Sequence, residues 1–279
     1  MAIKDILGKA RRRNRSVGDK FSVVQSIYDR MGSIRDKSPI SLDKFYLRAS
    51  GLGYLCAREE VISHKHSIER TDVIEPKLDF IFSIGHKLHD IVQEVLADIL
   101  LGNWKCISCS KVFGDNELIK KPKICDYGDC KSTEFEYYEV TLLDEENGIG
   151  GHPDGVIEID REKVLLEFKT CNEQVYTSLS FKGPSKSYIM QVNIYMWLLG
   201  LTKAFIVYIN KNNSDMKEFV IKRDEDLIYD VLKMAKSIKE GIQTGELPER
   251  TVCDSIDSYR AKRCPVKKIC FGVNSVWRE

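Results

Sequence analysis

The stretch GHPDGVIEIDREKVLLEFKT, residues 151–170, decides how the chain is read. GVIEID and VLLEFKT are short β-rich runs, and the polar turn Asp160-Arg161-Glu162-Lys163 between them predicts a hairpin. Successive side chains of a strand point to opposite faces, so Glu167 and Lys169 project together while Leu166 and Phe168 face the other side. The hairpin then brings Asp154, at the start of the first strand, beside Glu167 on the second. Two carboxylates and a lysine converge. Hard divalent ions such as Mg2+ and Mn2+ need oxygen ligands, and two convergent carboxylates suit them. An adjacent lysine can orient or deprotonate a water and offset phosphate charge, which makes the set suited to phosphodiester hydrolysis. The triplet alone also reads as solvated charge on an exposed hairpin, and its neighbours decide between the two.

Upstream, residues 84–101 carry Leu88, Ile91, Val92, Val95 and Ile99 at helical spacing, with Gly85 and His89 in a G-x-x-x-H arrangement. A neutral imidazole is a common metal ligand. His86 reads as a helix-surface residue, and His152 as a residue behind the acidic site. Downstream, residues 187–200 predict a helix on which Gln191 and Tyr195, four apart, share one face. Around them, residues 45–68 end in a helical pattern, FKGPSKS is a polar flexible stretch, AFIVYIN is a buried strand, and residues 224–242 form a long amphipathic helix. The C-terminal tail bears cysteines and lacks periodicity, and there is no internal repeat.

The order of helix with His, hairpin with acids and Lys, and helix with Gln and Tyr resembles the RecB-like branch of the PD-(D/E)XK nuclease superfamily. GHKLH (residues 85–89) matches its first motif, Pro153-Asp154 its second, Glu167-Phe168-Lys169 its third, and QVNIY (residues 191–195) its Q-x-x-x-Y motif. The resemblance implies an α/β, restriction-endonuclease-like fold, a mixed central sheet flanked by helices, over residues 41–279. It implies Mg2+ or Mn2+ held by His89, Asp154, Glu167 and the Phe168 carbonyl, with Lys169 as the catalytic lysine. Gln191 and Tyr195 would contact DNA or shape the site. The activity implied is an exonuclease acting on DNA with free ends, single-stranded or unwound, in recombination, repair, replication or CRISPR spacer processing. A non-catalytic DNA-binding or assembly subunit on the same fold normally goes with a decayed metal site, whereas His89, Asp154, Glu167 and Lys169 are all present. An RNA-directed zinc-ribbon protein with incidental acids would prefer RNA and need no divalent ion.

The nine cysteines of a chain whose pattern reads as intracellular point to metal, because the cytosol keeps thiols reduced. Cys106-x2-Cys109 and Cys125-x4-Cys130, fifteen residues apart, predict a four-thiolate Zn2+ site in an inserted ribbon-like module over residues 104–138. Its role, gripping DNA, gripping a protein or capping a loop, stays open. Cys56, Cys253, Cys264 and Cys270 have the one-early, three-late arrangement of the iron-sulfur members of the lineage, the Cas-four CRISPR-associated exonucleases and the AddB nuclease domain. That resemblance implies a [4Fe-4S] cluster stapling the chain ends. Here the late spacing is C-x10-C-x5-C where the family has C-x2-C-x5-C, and Ala261, separated from Cys264 by two residues, stands where the family spacing would put a cysteine. Cys171 reads as a strand-end filler. Trp104, Phe181 and Trp197 are candidates for stacking on bases, with core packing favoured for Trp197.

With 279 residues, 43% hydrophobic, the chain can bury one large core or two small ones. Its 43 Lys plus Arg against 42 Asp plus Glu leave a formal charge of +1, so a nucleic-acid partner must be met by a local basic surface. Residues 1–40, with Lys9, Arg11, Arg12, Arg13, Arg15 and Lys20, read as a basic arm. Neither a membrane span nor a signal peptide is present in the pattern, which predicts a cytoplasmic protein. Protein partners and homo-oligomers fit the family as well.

Overall fold

A computed structural model describes residues 22–34, 47–66, 68 and 75–272. The chain runs through α1 (Val23–Ile34), β1 (Leu47–Arg48), a 3-10 turn (Ala49–Tyr54), α2 (Ala57–Lys65) and α3 (Pro76–Val95). Next come β2 (Leu100–Cys106), β3 (Val112–Phe113), β4 (Ile119–Lys120), β5 (Phe135–Tyr138), β6 (Leu142–Asp144), β7 (Ile149–Gly151), β8 (Gly155–Ile159) and β9 (Glu162–Cys171). They are followed by α4 (Glu173–Lys182), α5 (Lys186–Leu199), β10 (Lys203–Asn210), β11 (Met216–Lys222), α6 (Glu225–Thr244), α7 (Tyr259–Arg263) and α8 (Lys267–Cys270). Two units partition these residues, Met1–Pro39 with Val73–Ser83, and Ile40–Asp72 with Ile84–Glu279. Of the first, the described part is α1 and the opening turns of α3. The basic residues from Lys9 to Lys20 lie outside the described residues. Among the described residues no helix is long and apolar enough to cross a membrane.

The second unit is built on the β8–β9 hairpin. Its turn is tighter than the sequence suggests: Ile159 pairs with Glu162, leaving Asp160 and Arg161 as the two loop residues, with φ of 50° and 68°. Positive φ at both central positions is the geometry whose twist matches antiparallel strands. β9, ten residues long, pairs antiparallel with β8 on one side and parallel with β10 on the other. A parallel pair needs a crossover, and α4 and α5 supply it. That connection lays α5 over one face of β9. The whole sheet is mixed, in the order β11-β10-β9-β8-β2-β3, with β4 and β5 also on β2, and a small sheet orders β1-β7-β6.

Alternation along β9 sorts two cores. Leu165, with Val156, Ala204, Ile206 and Tyr208, packs under α5 and α6, meeting Val192, Met196, Val231 and Ile238. Leu166 and Phe168 face the opposite side, joining Leu100, Trp104 and Phe135, with Val92 and Leu96 against them. A fully buried side chain of this size contributes about 1.5–3 kcal/mol of transfer free energy.

Three local expectations change. The helix read over residues 84–101 starts earlier and ends at Val95, and Leu100 opens β2. Ile91, Val95 and Ile99 of its apolar stripe are exposed, because the inward face of α3 carries His89 and Gln93, which bond Asp154. Trp104 is fully buried in β2, its indole N–H donating to the Ile119 carbonyl at 3.3 Å, so it cannot stack on a base. Phe181 is exposed at the end of α4, and Trp197 is half-buried on α5. The polar stretch FKGPSKS is largely helical at its two ends: Phe181 and Lys182 close α4, a helix the sequence reading did not contain, and Lys186 and Ser187 open α5, while Asn172 caps the start of α4 by accepting from the Val175 N–H at 2.9 Å. Cys171 is buried at the end of β9.

Candidate active site and cysteine centres

The register Gly155 opposite Leu166 sets Asp154 level with Glu167, just beyond the end of the β8 ladder. One carboxylate oxygen of Asp154 accepts from the Phe168 backbone N–H at 2.6 Å, and the other stands 3.2 Å from His89 Nδ1. His89 packs edge-on against the Phe168 ring, with centroids 6.1 Å apart. The helix comes this close because Gly85 carries no side chain: a Cβ there would stand 3.3 Å from Thr170 Oγ1 at the end of β9. Burial by itself would lower the His89 pKa, and the bond to Asp154 outweighs it, leaving the value raised. His86 is exposed on α3, and His152 is exposed with its Nδ1 3.5 Å from Thr141 Oγ1.

Glu167 is the deepest of these groups, 2% exposed. One oxygen, Oε1, accepts from Lys169 Nζ and from Gln191 Nε2 at 2.8 Å. The other, Oε2, is buried with no hydrogen-bond partner among the described residues, as is Gln191 Oε1. Lys169 Nζ also lies 4.6 Å above the Tyr188 ring. Tyr195, buried one turn beyond Gln191, places its hydroxyl 3.4 Å from Gln191 Nε2. Gly151 is required beneath it, since a Cβ there would fall 2.6 Å from that hydroxyl. Sequence reasoning missed two residues of this neighbourhood. Gln93 donates to the Asp154 carbonyl at 2.8 Å and to Glu139 Oε1 at 3.0 Å.

Burial, and then the charge of Asp154, push the Glu167 carboxyl up to about 8 from 4.5. Between those values the folded protein holds a proton there that the unfolded chain has released. Linkage then makes this group's contribution to stability fall as pH rises from about 4.5 to 8. In EDTA, Glu167→Gln is therefore expected to stabilise the protein relative to wild type progressively more from pH 5 to pH 8. Melting curves across that range check it, and a constant difference would count against a proton on Glu167.

The cysteines form two different arrangements. Cys106 and Cys130 Sγ are 3.7 Å apart, Cys109 and Cys125 Sγ 3.6 Å, and all four lie within 4.8 Å of one another. A tetrahedron with metal-sulfur bonds of about 2.3 Å has edges of about 3.8 Å, so the set is able to hold a metal ion. Backbone groups of Ser108 and Cys109 hydrogen-bond Cys106, that of Tyr127 bonds Cys125, and that of Ser132 bonds Cys130. Strand β2 runs unbroken from the main sheet, where Leu100 pairs with Ile157, to this centre, where Cys106 pairs with Phe135.

Cys56, Cys253, Cys264 and Cys270 line one pocket together with Arg250 and Phe271. Burial raises the Cys264 thiol to about 11. Cys253 reaches the pocket despite its long spacing. The tail is tied there by Arg260, which donates to the Tyr54 carbonyl at 2.8 Å and pairs with Glu59 at 3.2 Å, and by Arg58, which donates to the Pro248 carbonyl at 2.8 Å. Among the described residues only Cys106, Cys109, Cys125 and Cys130 bring three or more ligand atoms within 4.8 Å. A four-iron cluster stands between its thiolates and holds them farther apart than a single ion does.

The fold is a mixed α/β sheet flanked by helices, bearing a four-cysteine centre able to hold a metal, and it is structurally similar to solved exonucleases. These include the alkaline exonuclease LHK-Exo from Laribacter hongkongensis, at 15% identity and TM-score 0.41 over 80% of this chain and 93% of that one. A phage-related exonuclease from Haemophilus somnus 129PT is similar at 16% identity and TM-score 0.36, over 74% of this chain and 98% of that one. The protein SSO0001 is similar at 15% identity and TM-score 0.43, covering 91% and 98%. No family model matches the sequence, and no curated protein matches it.

Proposed function

We propose that this protein is a Mg2+- or Mn2+-dependent deoxyribonuclease of the RecB-like PD-(D/E)XK type, acting in the cytoplasm on DNA from its ends. The observation that carries the reading is Glu167, a buried carboxyl beside Asp154 with one oxygen that no described group satisfies. A buried acceptor left so is costly unless a proton or a cation meets it. By donor chemistry the His89 imidazole, the Asp154 and Glu167 carboxyls and the Phe168 carbonyl suit a hard divalent ion, although the His89, Asp154 and Glu167 ligand atoms do not all stand within 4.8 Å of one another. Such an ion, when bound, acidifies a water and offsets the charge that builds on a phosphate in the transition state.

The side chains then divide the work. The Phe168 N–H and His89 hold the Asp154 carboxylate in one orientation. Gln191 does the same for Glu167. Lys169 is kept protonated against its own burial by Glu167 and Asp154, which suits it to donate to the attacking water or to a phosphate oxygen. Tyr195, being buried, shapes the site and does not reach DNA. The test is digestion of end-labelled linear DNA, single-stranded and duplex, beside a closed circle, with Mg2+, Mn2+ or EDTA. Metal-dependent shortening of the linear forms is expected, and no cleavage in either metal would remove the reading.

In the same reading the ribbon cysteines hold Zn2+ and the pocket cysteines a [4Fe-4S] cluster that staples the chain ends. Protein purified without oxygen is expected to be brown and to contain iron, and Cys264→Ser to lose both colour and iron while keeping zinc. Colourless wild-type protein would make the pocket a thiol site without a cluster.

A further inference from the structure

We propose that Gln93 and Glu139 are positioning residues for Asp154, a buried brace that fixes its main chain while His89 and Phe168 fix its carboxylate. The inference rests on the metal-dependent reading of the site given above. Gln93 lies one turn beyond His89 on α3 and is 8% exposed. Its amide nitrogen offers two hydrogens, and the structure provides one acceptor for each: the Asp154 carbonyl at 2.8 Å and Glu139 Oε1 at 3.0 Å. Two successive turns of one helix therefore grip the same residue, at its side chain and at its backbone.

Asp154 needs this grip. The β8–β9 pairing begins at Gly155, so the Asp154 carbonyl lies beyond the ladder that satisfies its neighbours. Glu139 sets the orientation of the amide: with the amide flipped, the Gln93 oxygen would face a carboxylate and a carbonyl, which are both acceptors. Glu139 is itself held. It follows β5 directly, and its own carbonyl accepts from the Asn103 side chain at 3.4 Å, Asn103 being buried in β2 and paired with Tyr138. The brace thus runs from β2 through Glu139 and Gln93 to Asp154.

The test measures Mn2+ affinity of the full chain by calorimetry without DNA, alongside cleavage rates at limiting and saturating Mn2+. Outer partners of metal ligands typically alter affinity about 10–100-fold, and Gln93→Met and Glu139→Ala are expected to weaken Mn2+ binding within that range. Most of the lost activity returns at saturating Mn2+. Glu139→Gln keeps an acceptor oxygen for Gln93 and is expected to lose less than about tenfold. Melting curves report folding, and Glu139→Ala, which truncates a half-buried side chain, carries the test if Gln93→Met does not fold. Unchanged Mn2+ affinity in a folded Gln93→Met or Glu139→Ala protein would overturn the proposal, and so would Glu139→Gln as damaging as Glu139→Ala. Asp154→Asn separates the two levels. If it too leaves Mn2+ binding unchanged, the metal-site reading fails and takes the brace with it; if it abolishes binding while the brace variants do not, the brace alone fails.

Discussion

Lys169→Met is expected to lower DNA cleavage by about 10²–10⁴-fold, the range over which a positioned proton-transfer group acts, while leaving Mn2+ binding intact or tighter. The reasoning is electrostatic. Lys169 shares Glu167 Oε1 with Gln191, so it adds positive charge beside the carboxylate that we assign to the metal. Removing that charge removes a competitor for the carboxylate and leaves the ligand atoms in place. What disappears is the ammonium that would orient the water or receive charge from the phosphate in the transition state. Single-turnover digestion of end-labelled DNA and calorimetry with Mn2+ on the same variant separate the two effects. A variant cleaving within about tenfold of wild type would remove Lys169 from the chemistry.

On the zinc assignment proposed above, Cys106→Ser is expected to release one zinc per chain and to unfold the segment between β2 and β5. The strands around this centre are two to seven residues long, and β3 and β4 have only two residues each. Apart from Leu100, Leu166 and Phe168 of the main sheet, which share their cluster, the described residues of these strands and loops contribute only Trp104, Phe135, Cys106 and Cys125 to its buried core. Such a core is too small to stand alone, and a structural zinc in peptides of this size supplies about 10–16 kcal/mol at neutral pH. Hydrogen exchange over residues 106–138 and zinc quantification measure the effect. Retained protection without zinc would mean that packing alone holds the segment. Because β5 leads directly into Glu139, the same variant is also expected to weaken the brace on Asp154.

The features legible in the chain are those with local periodicity. A period of two places Glu167 and Lys169 on one face of β9, a spacing of four places Gln191 and Tyr195 together on α5, and two close cysteine pairs mark the four-cysteine centre. Partners far apart in sequence were not legible. Gln93 reads as an ordinary polar helix position until the fold brings Glu139 and Asp154, 46 and 61 residues away, against it. The apolar stripe of α3 misled for the same reason: the face turned inward carries polar groups that the site needs, and Ile91 and Val95 point to solvent. α4 was missed because only Tyr176 and Leu179 of its ten residues are buried, too few for a periodic signal, although Asn172 was available as a cap. Cys253 came to the pocket through a tail whose ties, such as Arg260 to Tyr54, span 206 residues and leave no local trace.

The most direct measurement of the central claim is anomalous diffraction from crystals soaked in Mn2+. On the proposed reading a peak bounded by His89, Asp154, Glu167 and the Phe168 carbonyl is expected, and it disappears in Asp154→Asn. An absent peak at that position in crystals where Mn2+ binds elsewhere would contradict the reading.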